Sequence, residues 1–176
     1  MATAGMLLGL SLALYAVESA IPMPFPFVRI GLANIAILLA LLTLGFIDAL
    51  AITVLRIAIA SAVVGTFLGP GFALGLTGGV AGVLAMGLAA RFAMPPLGVV
   101  GVSVAGAVAH NLGQLAALGL LYVGPAGALR LLAPALLLSA VAGAGTGLVA
   151  LFVLEKLALS GNNGLLGART FPEVGI

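Results

Sequence analysis

ALAITVLRIAIASAVVG, from Ala49 to Gly65, places a single arginine, Arg56, inside an apolar run of helical length. Near the middle of a bilayer an arginine costs about 2.5–3.5 kcal/mol on insertion scales, so it faces a partner or a wet cavity. A second polar island, His110-Asn111 with Gln114, interrupts the apolar stretch from Leu97 to Val123. Around these islands the 176-residue chain carries six Lys+Arg, four Asp+Glu and one His, and 64% of it is hydrophobic. The mean hydropathy is +1.41. No water-soluble domain carries that balance, and the islands mark the functional centre of a small polytopic membrane protein.

About 18 consecutive apolar residues suffice for a spanning helix, and breakers and charges divide this chain into six such spans. They run roughly from Thr3 to Ile21, Ile30 to Phe46, Asp48 to the Gly69-Pro70-Gly71 turn, Phe72 to Phe92, Leu97 to Val123, and Ala128 to Leu157. The Pro-rich stretch Pro22 to Pro26 lacks backbone donors and reads as a loop. Only Gly45 to Asp48 separates the second span from the third, which predicts a tight antiparallel pair. Pro134 marks an early bend or start point in the sixth. The expected fold is an all-α integral membrane protein of six transmembrane helices, a single substrate-binding bundle over residues 1–160. Residues 161–176 are weakly patterned and read as a flexible tail. Met1 to Gly5 holds no Lys or Arg and no small-residue cleavage site follows, so the first helix reads as retained rather than as a signal peptide.

Six spans put both termini on one side, with Arg91, Lys156 and Arg169, against Arg29 and Arg130 on the other. The Lys/Arg bias of membrane loops then favours termini inside.

Several function classes drop out. Without cysteine there is no disulfide, thiolate nucleophile or cysteine-bound metal, and one histidine leaves no metal-ligand cluster. A net charge of +2 offers no basic patch for nucleic acid. Asp48 is the only aspartate, no two carboxylates are close enough in sequence for acid–base work, and no Gly-rich phosphate loop precedes a Lys. No catalytic residue, metal or cofactor is expected, and the chain does not read as an enzyme. A pump would show carboxylates at depth or a pair of broken helices. A binding subunit energised by other proteins explains the pattern better.

With the termini inside, Glu18 lies near the outer end of the first span, Arg29 in the loop after it, and Asn34 one turn into the second. Arg56 sits at mid-depth in the third, and His110, Asn111 and Gln114 share one face of the fifth. These groups must be satisfied by each other, by water or by a ligand. Each also has a plainer reading. Arg56 can brace Asn111 or a backbone carbonyl, His110 can be a satisfied interior histidine, and Glu18 can pair with Arg29 at the interface. Tyr15 shares the face of Glu18 and would line the same cavity. As ligand contacts, two arginines suit a carboxylate or a phosphate.

Small residues recur every fourth position. Gly5, Gly9 and Ala13, with Ala16 and Ala20, lie on the first span, and Gly71, Gly75 and Gly79, with Gly78 and Gly82, on the fourth. Such rows let backbones approach closely, either within the bundle or against a partner membrane protein.

Three segments resemble one family. ESAIPMPFPFVRIGLANI (Glu18 to Ile35), VLRI (Val54 to Ile57) and GAVAHNLGQ (Gly106 to Gln114) are similar to the Gx transporter family, also labelled heptaprenyl diphosphate synthase component I. Its members read E-x-x-I-P, a Pro-rich loop, then K/R-x-G-L-A-N-I, and the similarity runs from about Leu7 to Lys156. That family in turn resembles the substrate-binding S components of energy-coupling factor transporters of bacterial cell membranes. The resemblance implies six helices with cytoplasmic termini and an outward substrate pocket lidded by the loop after the first helix. Glu18, Arg29, Asn34, Arg56, His110, Asn111 and Gln114 would contact a small anionic solute, a vitamin or an isoprenoid- or quinone-related precursor. Gly5, Gly9, Ala13, Ala16 and Ala20 would contact a transmembrane coupling protein driven by two ATPase subunits. The synthase label implies instead a non-transporting accessory of isoprenoid, quinone or electron-transfer metabolism. Catalysis by the chain itself would need Asp-rich magnesium motifs that a single aspartate cannot supply.

Overall fold

The computed structural model describes residues 2–21, 31–94 and 96–159, and every regular element among them is helical. In chain order these are α1 (Ala2–Ser19), α2 (Leu32–Thr43), α3 (Phe46–Val64), α4 (Pro70–Phe92), α5 (Gly98–Leu118) and α6 (Gly124–Leu159), with a π-helical turn, Gly119–Val123, between the last two. Four helical stretches are long and apolar enough to cross a membrane: Ala2–Ser19, Phe46–Val64, Pro70–Phe92 and Gly98–Leu159.

The last of these folds back on itself. Gly124 has φ +75° and ψ 160°, a conformation closed to most side chains, and the chain reverses there. Beyond it α6 packs antiparallel on α5. A Cβ on Gly119 would meet Ala128, one on Gly143 would meet Val104, and one on Gly147 would meet Val100, so residue numbers fall on α5 as they rise on α6. Ser103 and Thr146 share a 3.0 Å hydrogen bond across this pair. The same kind of register runs α4 antiparallel to α5 and α3 antiparallel to α4. The helices from α3 to α6 therefore alternate in direction; α2 leads into α3 through a two-residue turn, and the last turn of α1 bonds Gly31 at the start of α2, so Ala2 and Leu159 lie at the same end of one bundle.

The bundle is apolar outside as well as inside. Leu55, Ile59, Val63, Leu88, Leu137, Val141, Leu148 and Phe152 are exposed, whereas Thr53, Arg56, Ser61, Ser103, Asn111, Ser139 and Thr146 are buried. A water-soluble protein would not present so much apolar surface; a lipid-facing one must, because polar groups have no partner in hydrocarbon. Some buried hydroxyls accordingly bond carbonyls of their own helices, as Thr53 donates to Ala49 at 2.8 Å and Ser61 to Ala58 at 3.0 Å, while Ser11 of α1 donates to Ala33 of α2 at 3.4 Å. These features are those of a multi-pass membrane protein.

The predicted bounds of four spans need correction. The second, predicted from Ile30 to Phe46, is helical only over Leu32–Thr43. At 1.5 Å per residue those twelve residues reach about 18 Å, short of a hydrocarbon core of about 30 Å. Its buried run from Ile35 to Leu41 makes it the centre of the core, in contact with α1, α3, α4 and α6. The sixth helix starts at Gly124, not Ala128, because one glycine is enough to turn the chain; Pro134 lies within it. The third begins at Phe46, two residues ahead of Asp48, and the fourth at Pro70, where a missing N–H costs nothing. The Pro-rich loop with Arg29 and the tail 161–176 lie outside the described residues.

Candidate functional site

At the end of the bundle opposite Ala2 and Leu159, a cavity of about 360 Å³ lies between the helices. All six helices contribute to its wall. Of the residues singled out from the sequence, Glu18, Asn34, Arg56, His110, Asn111 and Gln114 line it together, and Tyr15 joins them. Arg29 lies outside the described residues.

Glu18 is buried at the last turn of α1, and its Oε1 accepts the Gly31 N–H at 2.6 Å. Gly31 precedes α2 with φ +82°, in the left-handed region that glycine enters without penalty. Only that turn of the backbone aims its N–H back at α1. The charge-assisted bond ties the two helices together where Asn34 enters the cavity. A side chain at Gly31 would sit 3.3 Å from the Asn34 amide nitrogen, so the glycine also leaves room for that amide.

Arg56 emerges halfway along α3 and is buried, with its Cζ 5.9 Å from the centroid of the Tyr15 ring. That distance is within cation–π range, and such contacts strengthen where water is excluded. Opposite, His110, Asn111 and Gln114 occupy one face of α5; the Asn111 amide donates to Ala107 O at 3.3 Å, one turn back. His110 and Gln114 are seated by glycines of α4. A Cβ on Gly78 would come within 2.6 Å of Gln114 Cγ and 2.9 Å of the His110 carbonyl, and one on Gly82 within 3.3 Å of His110 Cβ.

Below these amides a second space of about 30 Å³ is bounded by Asn34, His110, Asn111 and Gln114 on one side and Ser103, Ser139 and Thr146 on the other. It is large enough for a water and has polar partners for one.

The remaining wall was not foreseen. Val64, Phe72, Leu74, Leu118, Leu131, Pro134 and Leu138 give the cavity an apolar side drawn from α3, α4, α5 and α6. A leucine facing lipid and a leucine facing a cavity look alike in a sequence, and nothing local distinguishes them. The seats at Gly78 and Gly82 carry a faint signal, since both fall in a small-residue row, but the row does not say which helix it receives.

The arrangement can bind. It offers a guanidinium, three carboxamides and an imidazole to one polar end of a solute, and hydrocarbon to the other. No match is found among curated proteins or among solved structures. A family model described as heptaprenyl diphosphate synthase component I matches residues 7–153, a span that contains every cavity residue named above, and the chain belongs to that family.

Proposed function

We propose that this chain is the membrane-embedded substrate-binding component of an energy-coupling factor type transporter, taking up a small anionic solute through the cavity. The observation that carries this reading is the convergence of Glu18, Asn34, Arg56, His110, Asn111 and Gln114, from four helices, on one cavity at the end away from the termini. Buried polar groups of a membrane helix are costly to keep and mark ligand pathways. In this reading the chain binds and carries without performing chemistry.

The topology that goes with it has six crossings. Both termini lie in the bacterial cytoplasm. Exposed Arg91 and Lys156 at the end bearing the termini, against Arg130 at the cavity end, support this orientation through the Lys/Arg bias. The energising partners are a transmembrane coupling protein and two ATPase subunits. The outer face of α1 supports such a partner: Gly5, Gly9, Ala13, Ala16 and Ala20 are all exposed, and a Cβ on Gly5 or Gly9 would touch nothing.

The family description favours a second reading, a membrane accessory to a prenyl diphosphate synthase. Asp48, the only aspartate, lies exposed in the first turn of α3, at the end of the bundle away from the cavity. Prenyl transfer would then be catalysed by another subunit. Two experiments decide. Arg56→Ala is expected to abolish solute binding by a protein that still elutes as a folded monodisperse species; unchanged affinity removes Arg56 from the site. Gentle affinity purification from the native membrane is expected to bring down a coupling protein with ATPases, whereas recovery of a prenyl synthase subunit alone favours the accessory.

A further inference from the structure

The lining of the cavity changes character along its depth. On α5 it passes from His110, Asn111 and Gln114 to Leu115 and Leu118, and on α3 from Arg56 through Ala60 and Ser61 to Val64. Both helices run toward the end that lacks the termini, so the guanidinium lies deep, while the Glu18 carboxylate stands at the last turn of α1, near that end. An acid group drawn to the guanidinium and repelled by the carboxylate enters first, and the apolar wall of Phe72, Leu74, Leu118, Leu131 and Leu138 receives the body that follows.

Charge narrows the polar group. Among the described lining residues Arg56 is the one permanent cation and Glu18 the one carboxylate. A diphosphate would bring several negative charges against a single guanidinium, with the Glu18 carboxylate in the same wall. A carboxylate brings one charge and two acceptor oxygens, the geometry a guanidinium fork meets best, and the neighbouring amides can donate to what remains. Size narrows the apolar group. At about 360 Å³ the cavity stands at the small end of pockets that enclose whole ligands, about 300–1,000 Å³.

On the reading that the cavity holds the carried solute, we infer that this solute is a compact monocarboxylate with an apolar body, bound carboxylate-inward.

The test uses the full chain in lipid nanodiscs, with empty nanodiscs as the blank, titrated calorimetrically with 4-phenylbutyrate, 4-phenylbutanol and farnesyl diphosphate. The acid is expected to bind about tenfold or more tightly than the alcohol, the effect of one hydrogen bond to a charged group, and more tightly than the diphosphate. Arg56→Gln is expected to erase the preference for acid over alcohol; this ratio does not depend on how much of the variant is folded. Leu118→Asn is expected to weaken acid and alcohol by a similar factor. Tightest binding of farnesyl diphosphate, or an acid-to-alcohol ratio untouched by Arg56→Gln, overturns the assignment. If none of the probes binds while the coupling protein is still captured, the ligand class is wrong and the carrier reading stands. Loss of both removes the carrier reading as well.

Discussion

Helices α1 and α4 carry small residues at the same four-residue spacing and use them in opposite ways. On α4, Gly78, Gly79 and Gly82 are buried, and a Cβ on Gly79 would come within 2.7 Å of Ile57 on α3 just as one on Gly78 would strike α5. On α1 the row from Gly5 to Ala20 is exposed throughout. The difference is positional. α4 is flanked by α3 and α5, whereas α1 stands at the margin and packs chiefly on α2 and α3, through an inner face that includes buried Ser11 and Glu18. Spacing makes a helix face smooth; neighbours decide whether the smoothness is consumed inside the bundle or left for another molecule.

The comparison is broken most directly at Gly78. Replacement by leucine puts a side chain where backbone and side-chain atoms of His110 and Gln114 already sit, and overpacking of this kind costs about 3 kcal/mol. A much lower melting temperature in detergent and loss of solute binding are expected. A variant that melts like the parent would mean that α4 and α5 are not in close contact.

Glu18→Ala tests how α1 is held. It leaves the part-buried Gly31 N–H without its carboxylate acceptor, at an expected cost of about 1 kcal/mol. Because that bond joins α1 to the start of α2, hydrogen exchange should rise first at residues 31 to 34. Equal loosening of α5 and α6 would contradict the marginal position of α1.

Smaller effects set the scale for the interior pair. A double-mutant cycle with Ser103→Ala and Thr146→Ala should return a coupling of about 0.6 kcal/mol, the usual strength of an interhelical hydrogen bond in a membrane protein. A value near zero would show that the α5–α6 seam is held by glycine contacts alone.

Gly9→Leu is the smallest expected change and the sharpest contrast with Gly78→Leu. With nothing near its Cβ, it should shift stability by no more than about 0.5 kcal/mol while reducing recovery of the coupling protein. Strong destabilisation would mean that the α1 face is packed within the bundle after all.

Much of this was legible in advance because charge is scarce. In a chain this apolar, Arg56 and the His110–Gln114 island have few places to go that are not interior, and helical spacing alone puts His110, Asn111 and Gln114 on one face. Tyr15 follows by the same logic from its place one turn before Glu18. One partner of Glu18 was not legible: the sequence offered Arg29, which lies outside the described residues, and gave no sign of the backbone N–H that the left-handed turn at Gly31 aims at the carboxylate. The shortness of α2 was also hidden, because its flanks are as apolar as its helix.

By itself, the amino-acid order determined that the chain is helical, resides in a membrane and gathers its few polar groups inside, since hydrocarbon forbids unpaired backbone and penalises charge wherever they occur. Tertiary structure alone decided which leucines face lipid and which face a cavity, which glycines receive a neighbouring helix, and how deep a solute can sit. Those outcomes depend on contacts between segments far apart in the chain, and an apolar side chain carries no local mark of what it will touch.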